Sequence, residues 1–139
     1  MSPAELRALQ DALAAEQAAS FGYGVLGAHL SGAEQRQARA DWVAHQVARD
    51  QLTAMITAAG WKPIPSAVSY QLPVAVHSAA TARALAIDIE NRVTQEYIAL
   101  VAVTSPSVRE FAARQTRATA LRAVAWSGNP QAFPGLRVD

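Results

Sequence analysis

The sequence predicts an all-α protein built as a four-helix bundle. Alanine supplies about a quarter of the 139 residues, and together with Leu, Gln, Glu and Arg it makes strong helix-forming material. Apolar residues recur at steps of three and four along four long stretches, whereas the alternation typical of strands is scarce. A segment with three prolines and no helical period divides these stretches into two pairs. We therefore expect a single domain over residues 1–139, made of two antiparallel helix hairpins.

Capping signals predict the ends of the helices. Ser2 and Glu5 form a capping box at the start of the first helix, and Ser31 and Glu34 repeat that pattern almost directly after it. The turn between these two helices must be tight, so we expect them to be antiparallel neighbours. Gly60 supplies the left-handed cap that ends the second helix. The predicted helices cover residues 3–30, 32–59, 78–103 and 106–126.

Residues 60–77 form the long connection between the two hairpins. Fully extended, this segment spans up to about 60 Å, whereas a helix as long as the second one measures about 40 Å. The connection can therefore cross the whole bundle, so that the third helix runs parallel to the second. Residues 127–139 are expected to form an extended tail, because their prolines and glycines oppose a helix. Phe133 and Leu136 are expected to pack this tail onto the bundle.

Polar residues interrupt the apolar stripe of each helix near its middle. Glu16 is at the centre of the stripe on the first helix, where a bare carboxylate in a protein core is strongly destabilising. It must therefore be paired, hydrogen-bonded, protonated or bound to a metal. On the fourth helix the stripe carries Gln115, Thr119 and Arg122. The candidate central polar cluster consists of Glu16, His45, Arg49, Asp50, Glu90 and Gln115.

This arrangement resembles the ferritin-like fold, in which helix pairs are joined by a bundle-length crossover and carboxylates and histidines meet in the bundle core. More narrowly, residues 9–30 look like the first helix of a bacterial family of ferritin-like domains of unknown function. The likeness covers nearly the whole chain. It continues through His45, Arg49, Asp50, Ile89, Glu90 and the tail segment 132–136. The resemblance implies the ferritin-like topology and leaves the activity open.

The sequence departs from the ligand pattern of the di-iron members of that superfamily. Such a site needs a Glu on each of two helices and a Glu-x-x-His motif on each of the other two. Glu16, Glu90 and His45 match part of it. However, Trp42 stands three residues before the histidine, and the fourth helix has no histidine. We therefore expect no metal, and instead a network in which Arg49 lies between the two carboxylates with bidentate pairing. The alternative is one iron or zinc ion held by Glu16, His45 and Glu90.

Charge and composition narrow the range of partners. The formal net charge is +1, from 12 basic and 11 acidic residues spread along the chain, which gives no footprint for nucleic acid or an anionic membrane. The chain has no cysteine, which excludes disulfides and thiolate chemistry. We expect a soluble, cytoplasmic protein, because no apolar run reaches transmembrane length. Gly22, Gly24 and Gly27 lie in a helix with no preceding strand, which favours close helix packing over a phosphate-binding loop.

Two classes of function are compatible with these residues. The first is a non-enzymatic structural or interaction module, expected as a homodimer, in which the polar cluster sets the register of the helices. The second is a metal-dependent oxidoreductase or a small-ligand-binding protein that uses Glu16, His45 and Glu90. Whether the chain is an enzyme stays open at this point. The number of metal ligands discriminates between the two classes.

Overall fold

Four α-helices make up the described part of the computed structural model, which covers residues 1–128. They are α1 (Pro3–Leu26), α2 (Gly32–Ala58), α3 (Ala79–Val103) and α4 (Pro106–Ser127). These residues contain no strand, so the predicted all-α class is confirmed. Helix α1 packs against both α2 and α3, and α3 packs against α4. Across residues 1–128, none of the helices is both long enough and apolar enough to cross a bilayer. The predicted tail contacts of Phe133 and Leu136 lie outside the described residues.

Helix α1 begins where its capping signal predicts and ends earlier than expected. The Ser2 side chain accepts a hydrogen bond from the backbone N–H of Glu5 at 3.1 Å, which is one half of the predicted capping box. The Glu5 side chain, which the other half requires, accepts from the backbone N–H of Ser105. The α-helix stops at Leu26, and residues 27–29 form a short 3-10 helix. Gly32 then adopts a φ of 57°, a left-handed conformation that glycine tolerates, and the chain reverses into α2.

The capping box predicted at Ser31 is wrong, because the Ser31 side chain makes no capping hydrogen bond. Two other polar contacts join the ends of the helices. Glu34, the expected partner residue of Ser31, pairs with Arg83 of α3, with Oε2 and Nε 2.6 Å apart. At the other end of α3, the backbone N–H of Ser105 donates to Glu5 Oε1 at 3.1 Å. The start of α3 therefore lies near the start of α2, and its end lies near the start of α1.

The connection between α2 and α3 lies against α1. Gln10 accepts a hydrogen bond from the backbone N–H of Ile64 at 2.8 Å, and Gln17 donates to the backbone oxygen of Ile64 at 2.9 Å. Further along α1, the ring of Phe21 lies 5.7 Å from that of Tyr70. The connection therefore contacts successive turns of α1.

Glycine serves close helix packing at one position of α1 and not at another. A Cβ at Gly22 would lie 2.6 Å from Ile89 Cδ1, so Gly22 allows α1 and α3 to approach. Gly24 is exposed, and a Cβ there would meet no atom within 4 Å. The prediction of close helix packing is therefore right for Gly22 and wrong for Gly24.

The core combines large apolar side chains with ionisable ones. Burying an apolar side chain stabilises a fold by about 1.5–3 kcal/mol, whereas a buried charge is costly unless it is paired. The largest fully buried side chains are Tyr23, Tyr97, Leu9, Leu13, Leu26, Leu52, Ile56, Leu85, Leu100, His45, Glu16 and Glu90. The packing of this core therefore depends on how the acidic and basic side chains of His45, Glu16 and Glu90 satisfy one another.

Candidate functional site: a buried charge network

His45 lies between two carboxylates in the core of the bundle. Its Nδ1 is 2.5 Å from Glu16 Oε2 on α1, and its Nε2 is 2.7 Å from Glu90 Oε1 on α3. All three side chains have 0% of their surface exposed. An ionised carboxylate only accepts hydrogen bonds, so both ring nitrogens must donate. His45 is therefore an imidazolium that joins α1, α2 and α3.

The neighbouring charges determine the protonation of His45. Burial by itself lowers the pKa of a histidine, because it disfavours the charged ring. The negative charges of Glu90 and Glu16, together with the hydrogen bonds to both, outweigh burial and raise the pKa of His45 to about 9. The ring is therefore held in its positive form at neutral pH.

Arg122 of α4 is a second cation beside Glu90. Its Nε donates to Glu90 Oε1 at 2.8 Å and lies 3.3 Å from Oε2. The Arg122 side chain is 16% exposed. Its Nη2 atom is buried and has no hydrogen-bond partner among residues 1–128. Glu90 thus receives hydrogen bonds from cations on both α2 and α4.

Tyr97 of α3 completes the surroundings of Glu16. Its hydroxyl donates to Glu16 Oε1 at 2.7 Å, which leaves Oε2 for His45. Burial, followed by the charge of Glu16, raises the pKa of Tyr97 well above its ordinary value, so the hydroxyl keeps its proton. We call these five side chains the waist network: Glu16, His45, Glu90, Tyr97 and Arg122.

Another buried carboxylate, that of Asp41, lies beside the waist network. Asp41 is 4% exposed and accepts hydrogen bonds from Trp126 Nε1 at 2.9 Å and from Gln37 Nε2 at 2.7 Å. Burial raises the pKa of Asp41. The Tyr23 hydroxyl is 3.5 Å from Asp41, and its ring stacks on that of His45 with centroids 5.3 Å apart. Tyr23 therefore connects the two buried groups.

A known protein family and a solved structure both match almost the whole chain. The model of a domain of unknown function, DUF4439, matches residues 8–138. The chain belongs to this family. A crystal structure of a conserved hypothetical protein, Rv2844 from Mycobacterium tuberculosis, is 32% identical, covers 92% of this chain and 98% of its own, and has a TM-score of 0.89. No functionally curated protein is significantly similar. These matches fit the predicted relation to a bacterial domain family of unknown function.

This DUF4439 chain does not use Arg49 as predicted. The Arg49 Nε pairs with Oδ1 of Asp50 at 3.0 Å, and these side chains are 31% and 70% exposed. Arg49 follows His45 by four residues, which is one full helical turn and about 40° more. The Arg49 side chain therefore leaves the helix at an angle to the His45 side chain, which points into the core. Arg122 supplies the guanidinium of the network instead. Arg49 is therefore half-buried and Asp50 is exposed, and the two pair with each other rather than with Glu16 or Glu90.

Gln115 also lies outside the waist network. It is half-buried, and its backbone oxygen accepts a hydrogen bond from the Thr119 hydroxyl at 2.9 Å. Thr119 in turn lies 2.6 Å from the hydroxyl of Thr94 on α3. The two network members missed in the sequence are Arg122 and Tyr97. The signal for Arg122 was its place on the same inward stripe as Thr119.

The waist network does not fit a metal ion in this arrangement. Among residues 1–128, no group of three or more His, Asp or Glu side chains is placed to hold one. The two ring nitrogens of His45 point away from each other, so Glu16 and Glu90 cannot share a cation with this ring. A protonated ring also has no lone pair to offer, and Arg122 adds positive charge beside Glu90. The three predicted ligands meet as hydrogen-bond partners.

Proposed function

We propose that this DUF4439 chain is a ferritin-like bundle in which a buried charge network stands where metal-binding members of that superfamily hold their ions, and that it serves as a structural or interaction module. The observation that carries the proposal is His45, whose two ring nitrogens both face carboxylates of other helices. Such a network sets the register of the helices, because a shift along any one of them leaves a charge unpaired in the core.

Contacts at the helix ends support the ferritin-like topology. Glu34 near the start of α2 pairs with Arg83 near the start of α3, as expected for parallel helices joined by a crossover. Ser105, two residues after the end of α3, donates its backbone N–H to Glu5 at the start of α1. The connection between α2 and α3 contacts successive turns of α1, as a segment that crosses the bundle would.

The pairing of His45 and Glu90 argues against a metal-dependent redox role for the waist network. Metal binding would require His45 to lose a proton and Glu90 to release Arg122. The interactions that raise the pKa of His45 oppose the first of these changes.

Elemental analysis tests this proposal. Protein purified without chelator from medium supplemented with iron and zinc is expected to carry far less than one metal ion per chain. The matched comparison is Glu16→Ala, with circular dichroism to verify that the variant stays helical. One or two ions per chain that are lost in Glu16→Ala would instead support the metal-dependent oxidoreductase.

The predicted homodimer is a further part of the proposal that needs its own measurement. Sedimentation equilibrium of the full chain distinguishes the monomer mass of 14.7 kDa from twice that value. A monomer mass at every concentration would contradict the homodimer and would leave the waist network unaffected.

A further inference from the structure

A groove on the outside of the α1–α2 hairpin lies apart from the waist network. Its volume is about 620 Å³, within the range of roughly 300–1,000 Å³ that is typical of small-molecule sites. Its lining includes Tyr23, Gly24, Gly27, Arg36, Arg39 and Trp42. Tyr23 is buried and Trp42 half-buried, whereas both arginines are exposed. The groove thus has an aromatic floor and a basic rim.

Gly24 leaves open space against the backbone of α1. A glycine inside a helix is less favourable than alanine, and here a Cβ would meet no atom of the chain within 4 Å. Packing within the bundle explains Gly22, which faces Ile89, and does not explain Gly24. A ligand that lies directly on the helix backbone would account for the missing side chain.

Arg36 and Arg39 give the groove its charge. They lie one turn apart near the start of α2, and neither makes an ion pair or a hydrogen bond with another residue in the described part of the chain. The planar guanidinium group pairs with carboxylates through two N–H donors. The half-buried ring of Trp42 offers the aromatic surface on which a flat apolar group packs.

We propose that this groove binds an organic anion with a flat apolar body, of which an aromatic carboxylate is the simplest example. The rings lie against Trp42 and the backbone at Gly24, and the carboxylate lies between Arg36 and Arg39. This site does not depend on the proposed structural role of the waist network. It is one side chain away from that network, because Tyr23 lines the groove and stacks on the His45 ring at 5.3 Å.

A titration with 2-naphthoate, followed in nuclear magnetic resonance spectra of isotope-labelled protein, tests the site. We expect saturable shifts of the amide signals of Gly24 and Gly27 and of the Trp42 indole signal. The neutral analogue 2-naphthamide is expected to bind about tenfold more weakly, because it lacks the charge that the two arginines recognise. An equal affinity for both compounds would contradict the assigned role of the arginines.

Three variants sharpen the test. Gly24→Leu fills the groove without touching other atoms at its Cβ, so the fold is retained and the shifts are expected to disappear. The double change Arg36→Gln with Arg39→Gln is expected to lower the affinity for 2-naphthoate to that for 2-naphthamide. Arg117→Gln, at an exposed position of α4, is the matched control and is expected to bind like the parent chain. Absence of saturable shifts, or undiminished binding to Gly24→Leu, would overturn the proposal.

Discussion

Arg122 and His45 share one oxygen atom, Glu90 Oε1, which lies 2.8 Å from Arg122 Nε and 2.7 Å from His45 Nε2. Two cations on one carboxylate oxygen would repel each other if they were alone. Glu16 on the far side of the imidazole and Asp41 beside Arg122 supply the compensating negative charge. The members of the waist network are therefore coupled, because removal of any one leaves a buried neighbour without a charge partner or a hydrogen-bond partner.

Replacing Arg122 by methionine should reveal this coupling. Arg122→Met leaves Glu90 with one cation, and we expect it to lower the free energy of unfolding by about 3–5 kcal/mol. Arg49→Met is the matched control, because Arg49 pairs only with its exposed neighbour Asp50, and we expect a change within about 0.5 kcal/mol. Urea unfolding measures both. Similar losses in the two variants would show that Arg122 has no special role.

The hydroxyl of Tyr97 should stabilise the fold through its hydrogen bond to the buried Glu16 side chain. Tyr97→Phe removes one hydrogen bond to a buried carboxylate, and we expect a loss of about 1.5–3 kcal/mol in the free energy of unfolding. In a Glu16→Gln background the same change should cost less. Tyr70→Phe serves as control, since the Tyr70 hydroxyl only accepts from a backbone N–H in an exposed segment. Additive losses in the double-mutant cycle would mean that the two side chains do not interact.

The raised pKa of His45 should make stability depend on pH. The folded-state pKa of about 9 exceeds the ordinary value of 6.5, so the contribution of His45 is complete below pH 6.5 and is lost as pH rises through about 9. Its size is about 3 kcal/mol. We expect denaturant unfolding to show this decline in the parent chain and in the surface variants His29→Gln and His77→Gln. A decline of the same size in His45→Gln would assign it to another group.

Replacement by alanine should affect the two glycines of α1 differently, because Gly24 is exposed and Gly22 is buried. Gly24→Ala is expected to raise the free energy of unfolding by about 0.5–1 kcal/mol, because nothing opposes the gain in helix propensity. Gly22→Ala should gain less or lose stability, since its Cβ forces the Ile89 side chain to move. Thermal unfolding of the two variants side by side measures the difference. Equal stabilisation would mean that α1 and α3 do not depend on a glycine at their contact.

The helices could be predicted because their signals are local. Periodicity and the Ser2 cap depend on residues within a few positions of each other, and both agree with the structure. The end of α1 at Leu26 and the unformed cap at Ser31 were missed. The Glu34 carboxylate pairs with Arg83, which is distant in sequence, and local signals cannot predict such a tertiary contact.

The site could be predicted in part for the same reason. Glu16, His45 and Glu90 lie at the centre of their apolar stripes, so their inward direction follows from periodicity alone. Periodicity places both Arg49 and Arg122 on an inward stripe, and only the rotation of each helix against its neighbours decides which of the two reaches a carboxylate. The contact of Arg122 with Glu90 joins α4 to α3, and sequence periodicity contains no information about that rotation.

The protonation of the His45 ring is the most direct test of the waist network. Long-range proton–nitrogen correlation spectra at neutral pH distinguish an imidazolium, with two protonated ring nitrogens, from a neutral ring with one bare nitrogen. We expect His45 to give the imidazolium pattern, and we expect this pattern to persist until the pH approaches 9. A neutral ring at pH 7, or a ring nitrogen bound to metal, would contradict the charge network on which the proposed function rests.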